Sequence, residues 1–121
     1  MESNEVKSRA LRGGEFLIKD QNVDTVFTPE DLSEEQRMIQ QTVEDFVKKE
    51  VGEQGNQLKY QKELLAKAAD LGLLGAHIPE QYGGMEMDTH TVTVLLEELG
   101  RAGGSFNTSF AAHTGIGMLP I

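Results

Sequence analysis

The side chains that could do chemistry are few and far apart. The three histidines, His77, His90 and His113, are separated by 13 and 23 residues. No two stand at the i, i+4 spacing that sets a pair of imidazoles on one helical face for a metal. There is no cysteine, which removes a disulfide framework, a thiolate metal site and a thiol nucleophile together. Carboxylates come in doublets, Glu34 with Glu35 and Glu97 with Glu98. Each doublet flanks apolar helical positions and reads as a solvated face, not as an acid–base pair. His113 lies in SFAAHTGIGMLPI, residues 109–121, a stretch of small and apolar residues without a formal charge. A histidine in such a segment is expected to be partly buried and satisfied by a backbone carbonyl or water. Spacing therefore assigns no catalytic residue and no metal ligand.

The glycines are equally negative for phosphate chemistry. Gly100, Gly103 and Gly104, then Gly115 and Gly117, never complete GxGxxG, no strand precedes them, and no Walker A motif occurs. What the last segment does offer is low side-chain volume. Ser109, Ala111, Ala112, Thr114, Gly115 and Gly117 leave space where Leu or Phe would fill a core. That suits close helix packing first and a groove second.

The elements that must position these residues follow from periodicity. A chain of 121 residues supports one core, burying about two-thirds of its extended surface. Lys plus Arg is 11 against 20 for Asp plus Glu, a formal charge of -9, and the basic residues are scattered, so phosphate-backbone binding is not expected. No apolar run approaches a membrane span and the first residues lack an apolar h-region; with the absent cysteines this suggests a cytoplasmic chain. Residues 1–31 carry no sustained period and read as an arm, partly mobile, in which EFLIKD and VDTVF could be short extended segments. Thr28 and Pro29 offer a start for one helical turn. Ser33 with Gln36 fits a capping box. Ile39, Val43, Phe46 and Val47 then repeat at helical spacing, predicting a helix over about 33–51. A second helix places Leu58, Leu64, Leu65, Ala68 and Leu71 on one side and closes on Gly72. A turn-rich connection dips into the core at Leu73, Leu74 and Ile78. The third helix, about 89–99, buries Val92, Leu95, Leu96 and Leu99 and stops at Gly100. The fourth is capped by Ser105 and carries Phe106, Phe110, Ala111, Ala112, Ile116 and Met118. Nothing repeats and nothing alternates like a strand. The fold class predicted is all-α, about four main helices behind an N-terminal arm.

Three stretches in this order, LSEEQRMIQQTVEDFVKKEV, LLAKAADLGLLGAHIPEQYGGMEMD and LLEELGRAGGSFNTSFAAHTGIGMLPI, resemble the N-terminal helical domain of flavin-dependent acyl-CoA dehydrogenases over residues 32–121. GLLGAHIPEQYGG and EELGRAGGSF carry most of the specificity. RGGEFLI and AHTGIG resemble bacterial members near the very-long-chain branch. The resemblance implies α,β-dehydrogenation of a fatty acyl-CoA with FAD as acceptor, reoxidised by an electron-transferring flavoprotein, in a homo-oligomer. It places acyl-pocket residues at Thr108, Ser109, Ala112 and Ile116, with small Ala112 and Gly115 suiting long chains. Family members are several times longer, and the base and much of the flavin site belong to their middle and C-terminal domains. The 121 residues are thus expected to be a fragment, inactive alone and without bound FAD. A different class, a small helical module that binds a partner helix or a lipid, would need Ser109, Ala112 and Ile116 filled by another helix.

Overall fold

In the computed structural model, which describes residue 11 and residues 13–121, the chain runs through α1 (Glu34–Phe46), α2 (Gln61–Asp70), α3 (Thr89–Leu99) and α4 (Gly104–Ala111). Short 3-10 turns connect them, and π-turns extend α1 over Val47–Val51 and α4 over Ala112–Gly117. No strand occurs among the described residues, so the fold is all-α as expected. No described helix is long and apolar enough to cross a membrane. By contact density the chain divides into two units, residues 1–37 and 38–121.

In the first unit, residues 1–10 and 12 of the predicted arm lie outside the described residues. The segments expected to be extended are instead wound into 3-10 turns, Gly13–Leu17 and Val23–Thr25. Local polar bonds account for this. The Lys19 amide donates to Glu15 O at 3.0 Å, and its ammonium meets the Glu15 carboxylate at 2.6 Å. Asn22 Oδ1 accepts from the Asp24 amide at 3.0 Å, an Asx-turn that outcompetes extended backbone. Phe16, Leu17 and Ile18 remain exposed. Thr28 begins a single turn at Pro29–Asp31, its amide donating to Asp31 Oδ2 at 2.8 Å. The Ser33 capping box forms in both directions. Ser33 N donates to Gln36 Oε1 at 3.0 Å and Gln36 N to Ser33 Oγ at 3.1 Å, satisfying two amides that the first turn of α1 leaves free.

The second unit contains the core. Val43 and Phe46 of α1, with Val47 and Val51 of its π-turn, meet Leu64 and Ala68 of α2, Val92, Leu95 and Leu99 of α3, and Phe106 and Phe110 of α4. The Phe106 ring centroid lies 6.0 Å from that of Phe46 and 6.2 Å from that of Phe110, both tilted, within the preferred range for aromatic pairs.

Several sequence expectations change here. Leu58 is 84% exposed and Leu71 45% exposed. Leu58 belongs to a separate 3-10 turn, Leu58–Tyr60, so its spacing from Leu64 does not put it on the face of α2. Leu71 is the C-cap, turned out ahead of Gly72, which takes the left-handed φ of 77° expected of a helix stop. Leu96 is 39% exposed and sits at the edge of its helix's buried face. α3 ends at Leu99 with Gly100 as its C-cap, as expected, but Gly100 keeps helical angles (φ -56°, ψ -22°) and starts one more 3-10 turn to Ala102. The break comes at Gly103, at φ 84° and ψ 154°, a region L side chains rarely enter. Ser105 is accordingly inside α4, not its cap. Gly103 holds the cap position, with Asn56 Oδ1 facing the Ser105 amide at a long 3.5 Å.

The turn from Gly52 to Asn56 must come very close to the Gly100–Ala102 turn, since a Cβ on Gly55 would lie 2.3 Å from Ala102 O. Gln61 secures the other side of that turn, its Nε2 donating to Gly55 O at 2.9 Å and to Gln57 O at 3.2 Å. Replacing Phe106 by Ala should cost about 3–5 kcal/mol of unfolding free energy, and Gly55→Ala about 1–3 kcal/mol through the forced separation of the two turns. Urea denaturation followed by circular dichroism measures both; a Gly55→Ala variant as stable as the parent would contradict the close approach.

Candidate functional site

The last helix and its π-turn present two different faces. One lines an apolar cleft of about 140 Å3 whose walls include Leu73, Leu74, Leu95, Phe110, Gly115 and Met118. Polar groups there are few. Thr114 Oγ1 donates to Phe110 O at 2.9 Å, which leaves a methyl-lined surface, and His77 stands in the lining with an exposed ring. The opposite face carries Thr108, Ser109, Ala112 and Ile116. Thr108 and Ala112 are exposed and Ile116 is 82% exposed. Ser109 is half-buried and uses its hydroxyl to donate to Ser105 O at 2.9 Å.

None of the four residues expected in the acyl pocket lines this cleft. No described helix fills it. His113 also differs from expectation, being exposed. It follows Ala112 on the outward side, where no core residue reaches it. Glu98 departs furthest. Read as solvated, it is 3% exposed, while Glu97 is exposed. Its Oε1 accepts from Gln40 Nε2 of α1 at 2.9 Å, and Arg101 Nε lies 3.2 Å from its Oε2. The signal was available: Glu98 is three residues from Leu95 and seven from Thr91, all buried on α3, a row of one helical face. Its carboxylate braces α3 against α1 at the foot of a concavity of about 320 Å3 that Lys48 and Arg101 also line.

A third concavity, about 460 Å3, is walled by Asp45, Lys49, Glu50, Lys67 and Asp70. Its charges are largely spent on one another, Lys49 on Asp45 at 2.9 Å and Lys67 on Glu50 at 2.9 Å. The hydrogen bond to Glu50, then that to Glu63, holds the Lys67 ammonium above its ordinary range, and the Lys49 and Gln41 bonds hold Asp45 below the usual carboxylate range. Among the described residues no group of three or more His, Asp or Glu side chains gathers as metal ligands would.

An all-α domain built around three phenylalanines, with an apolar cleft and a small-residue face on its last helix, has known counterparts. The description "Acyl-CoA dehydrogenase, N-terminal domain" matches residues 33–121, and the chain belongs to that family. A probable acyl-CoA dehydrogenase of Bacillus subtilis (strain 168) is 44% identical over 115 residues, covering 91% of this chain and 19% of the relative. A mitochondrial isovaleryl-CoA dehydrogenase of Pongo abelii is 33% identical over 91 residues, covering 70% of this chain and 22% of its own. A crystal structure of an acyl-CoA dehydrogenase complexed with FAD from Bacillus anthracis superposes with a TM-score of 0.80 at 44% identity, over 93% of this chain and 20% of that one. The chain thus spans about a fifth of the length of these relatives.

Removing the buried carboxylate should be felt as a packing and hydrogen-bond loss. Glu98→Ala should lower unfolding free energy by about 2–3 kcal/mol, since it strands the Gln40 amide and opens a void. Chemical denaturation checks this, and a change under 0.5 kcal/mol would return Glu98 to the solvated role read from the sequence.

Proposed function

We propose that these residues are the N-terminal helical part of a flavin-dependent acyl-CoA dehydrogenase, and that the outward face of α4 and its π-turn is one wall of the acyl-chain pocket. Thr108, Ser109, Ala112 and Ile116 are the wall residues. The observation that carries the reading is that this face stays uncovered although the domain around it is packed: Phe106 and Phe110 on the same helix are fully buried, and Ile116 is 82% exposed. Small side chains at 109 and 112 leave room for a hydrocarbon, and burying that hydrocarbon contributes about 0.8 kcal/mol per methylene.

FAD supplies the hydride acceptor in this chemistry when bound. The described residues do not supply a binding set for it: the α4 face offers hydroxyls and methyls, without the cluster of cations and free amides that a pyrophosphate takes. No step is assigned to flavin contacts from this chain, and the base that removes the α proton is assigned to sequence outside it. The same reading brings a fatty acyl-CoA substrate, an electron-transferring flavoprotein as oxidant of the reduced flavin, a cytoplasmic setting and a homo-oligomer. A stand-alone module that binds a helix or a lipid through this face is the competing reading. It would show as binding of the 121-residue chain to neutral phospholipid vesicles or to an added amphipathic peptide, with no acyl-CoA dependence.

In the full-length protein that carries this domain, mixing with a saturated acyl-CoA should bleach the flavin absorbance. Ala112→Phe should lower kcat/KM for long chains roughly tenfold more than for short ones, the scale on which an apolar pocket senses one or two carbons. Equal losses at every chain length would take Ala112 out of the pocket wall.

A further inference from the structure

The last helix changes its winding partway along. Residues 104–111 are α-helical, and residues 112–117 follow with the i→i+5 bonding of a π-turn. An α-helix advances 100° per residue, so positions four apart drift by about 40°. At i→i+5 winding, roughly 4.4 residues per turn, four residues fall short of a full turn by about 33°. Continued as an α-helix, the chain would put residue 116 about 80° round from residue 108, and residue 115 only about 20° from it. With the π-turn the two drifts cancel: 116 returns to within about 10° of 108, and 112 stands about 40° to one side.

Burial records this register independently. Phe110, Thr114 and Met118, each four apart, all line the inner cleft, and so do Ala111 and Gly115. Ile116 is 82% exposed on the other side, with Ala112 and Thr108. The rows on both faces therefore run along the helix axis without twisting round it.

We infer that the π-turn at 112–117 is a specificity device: it straightens the small-residue row into a trough whose far end is Ile116 and keeps Gly115 on the core side, so that the wall suits an extended, unbranched acyl chain. This rests on the acyl-pocket reading above. The turn is chemically suited to its winding. Gly117 is a poor α-helix former, about 1 kcal/mol below Ala. A Cβ at 117 would press to 3.1 Å on Ala112 O.

The two registers predict opposite outcomes at neighbouring positions, which makes the inference testable in the full-length holoenzyme with straight-chain acyl-CoA substrates of increasing length. Ile116→Phe should lower the ratio of long-chain to short-chain kcat/KM roughly tenfold. Gly115→Leu should leave that ratio within twofold, because its side chain enters the Leu74–Leu95 cleft on the other face. Gly115→Ala, whose added methyl meets nothing within 4 Å, stands in if the leucine variant fails to fold, and should likewise leave the ratio unchanged. A ratio that responds at 115 and not at 116 would overturn the straightened register. Ala112→Phe separates the two levels: if it alone shifts the ratio, the wall stands and the π-turn inference falls, and if none of the variants shifts it, the wall itself falls.

Discussion

Phe106 has no exposed surface and touches a phenylalanine from each side, Phe46 of α1 and Phe110 of its own helix. Everything that gives α4 a fixed rotation about its axis depends on that contact. The helix is short, eight residues before its π-turn, and its remaining side chains are small, so it has little else to hold it. With Phe106 and Phe110 inward, the positions between them are set. Thr108 and Ala112 can only face out. A helix with several comparable apolar faces could roll and re-pack, whereas one with two large anchors and otherwise small residues cannot without opening a void the size of a ring.

Backbone proximity supports this placement. Gly55 lets the turn after α1 reach the end of α3, and Gly103 lets the chain reverse into α4 beside Asn56. Neither position tolerates a side chain in its present geometry, the first for lack of space and the second for its left-handed φ as well. The Gln40–Glu98 hydrogen bond ties the same two helices by a polar route. The apolar anchors determine how α4 is rotated, and the close turns determine where it starts.

How much of this could be read from sequence depends on which physical signal each element rests on. The Ser33–Gln36 box, the start of α3 near Thr89, the Gly72 stop and the buried rows of α1 and α3 are local in sequence, and capping signals and periodicity found them to within a residue or two. The all-α class followed from the same signals. What sequence missed was set by tertiary contact. Gly100 caps α3 as composition suggests, but the chain winds on through a 3-10 turn to Gly103, which brings Ala102 beside Gly55. Glu98 reads as surface by type although its place in the Thr91–Leu95 row turns it inward, and Gln40, 58 residues away, supplies the donor that satisfies it there. The candidate site divides along the same line. Resemblance named Thr108, Ser109, Ala112 and Ile116, of which Thr108, Ala112 and Ile116 are exposed and Ser109 is half-buried. The separate cleft and the change to π winding had no sequence signal beyond two glycines.

The aromatic anchor is also an ordering constraint in time. Phe46 and Phe106 are 60 positions apart, and at 5–20 residues per second a ribosome takes about 3–12 s to make the chain between them. For that interval the apolar side of α1, Val43, Phe46, Val47 and Val51, has no α4 to pack against. The charged residues that alternate with it, Glu44, Asp45, Lys48 and Lys49, already pair along the helix and keep the waiting helix polar on its other side. The apolar side of α1 is therefore without its partner for several seconds, and that is the window in which a chaperone would meet it.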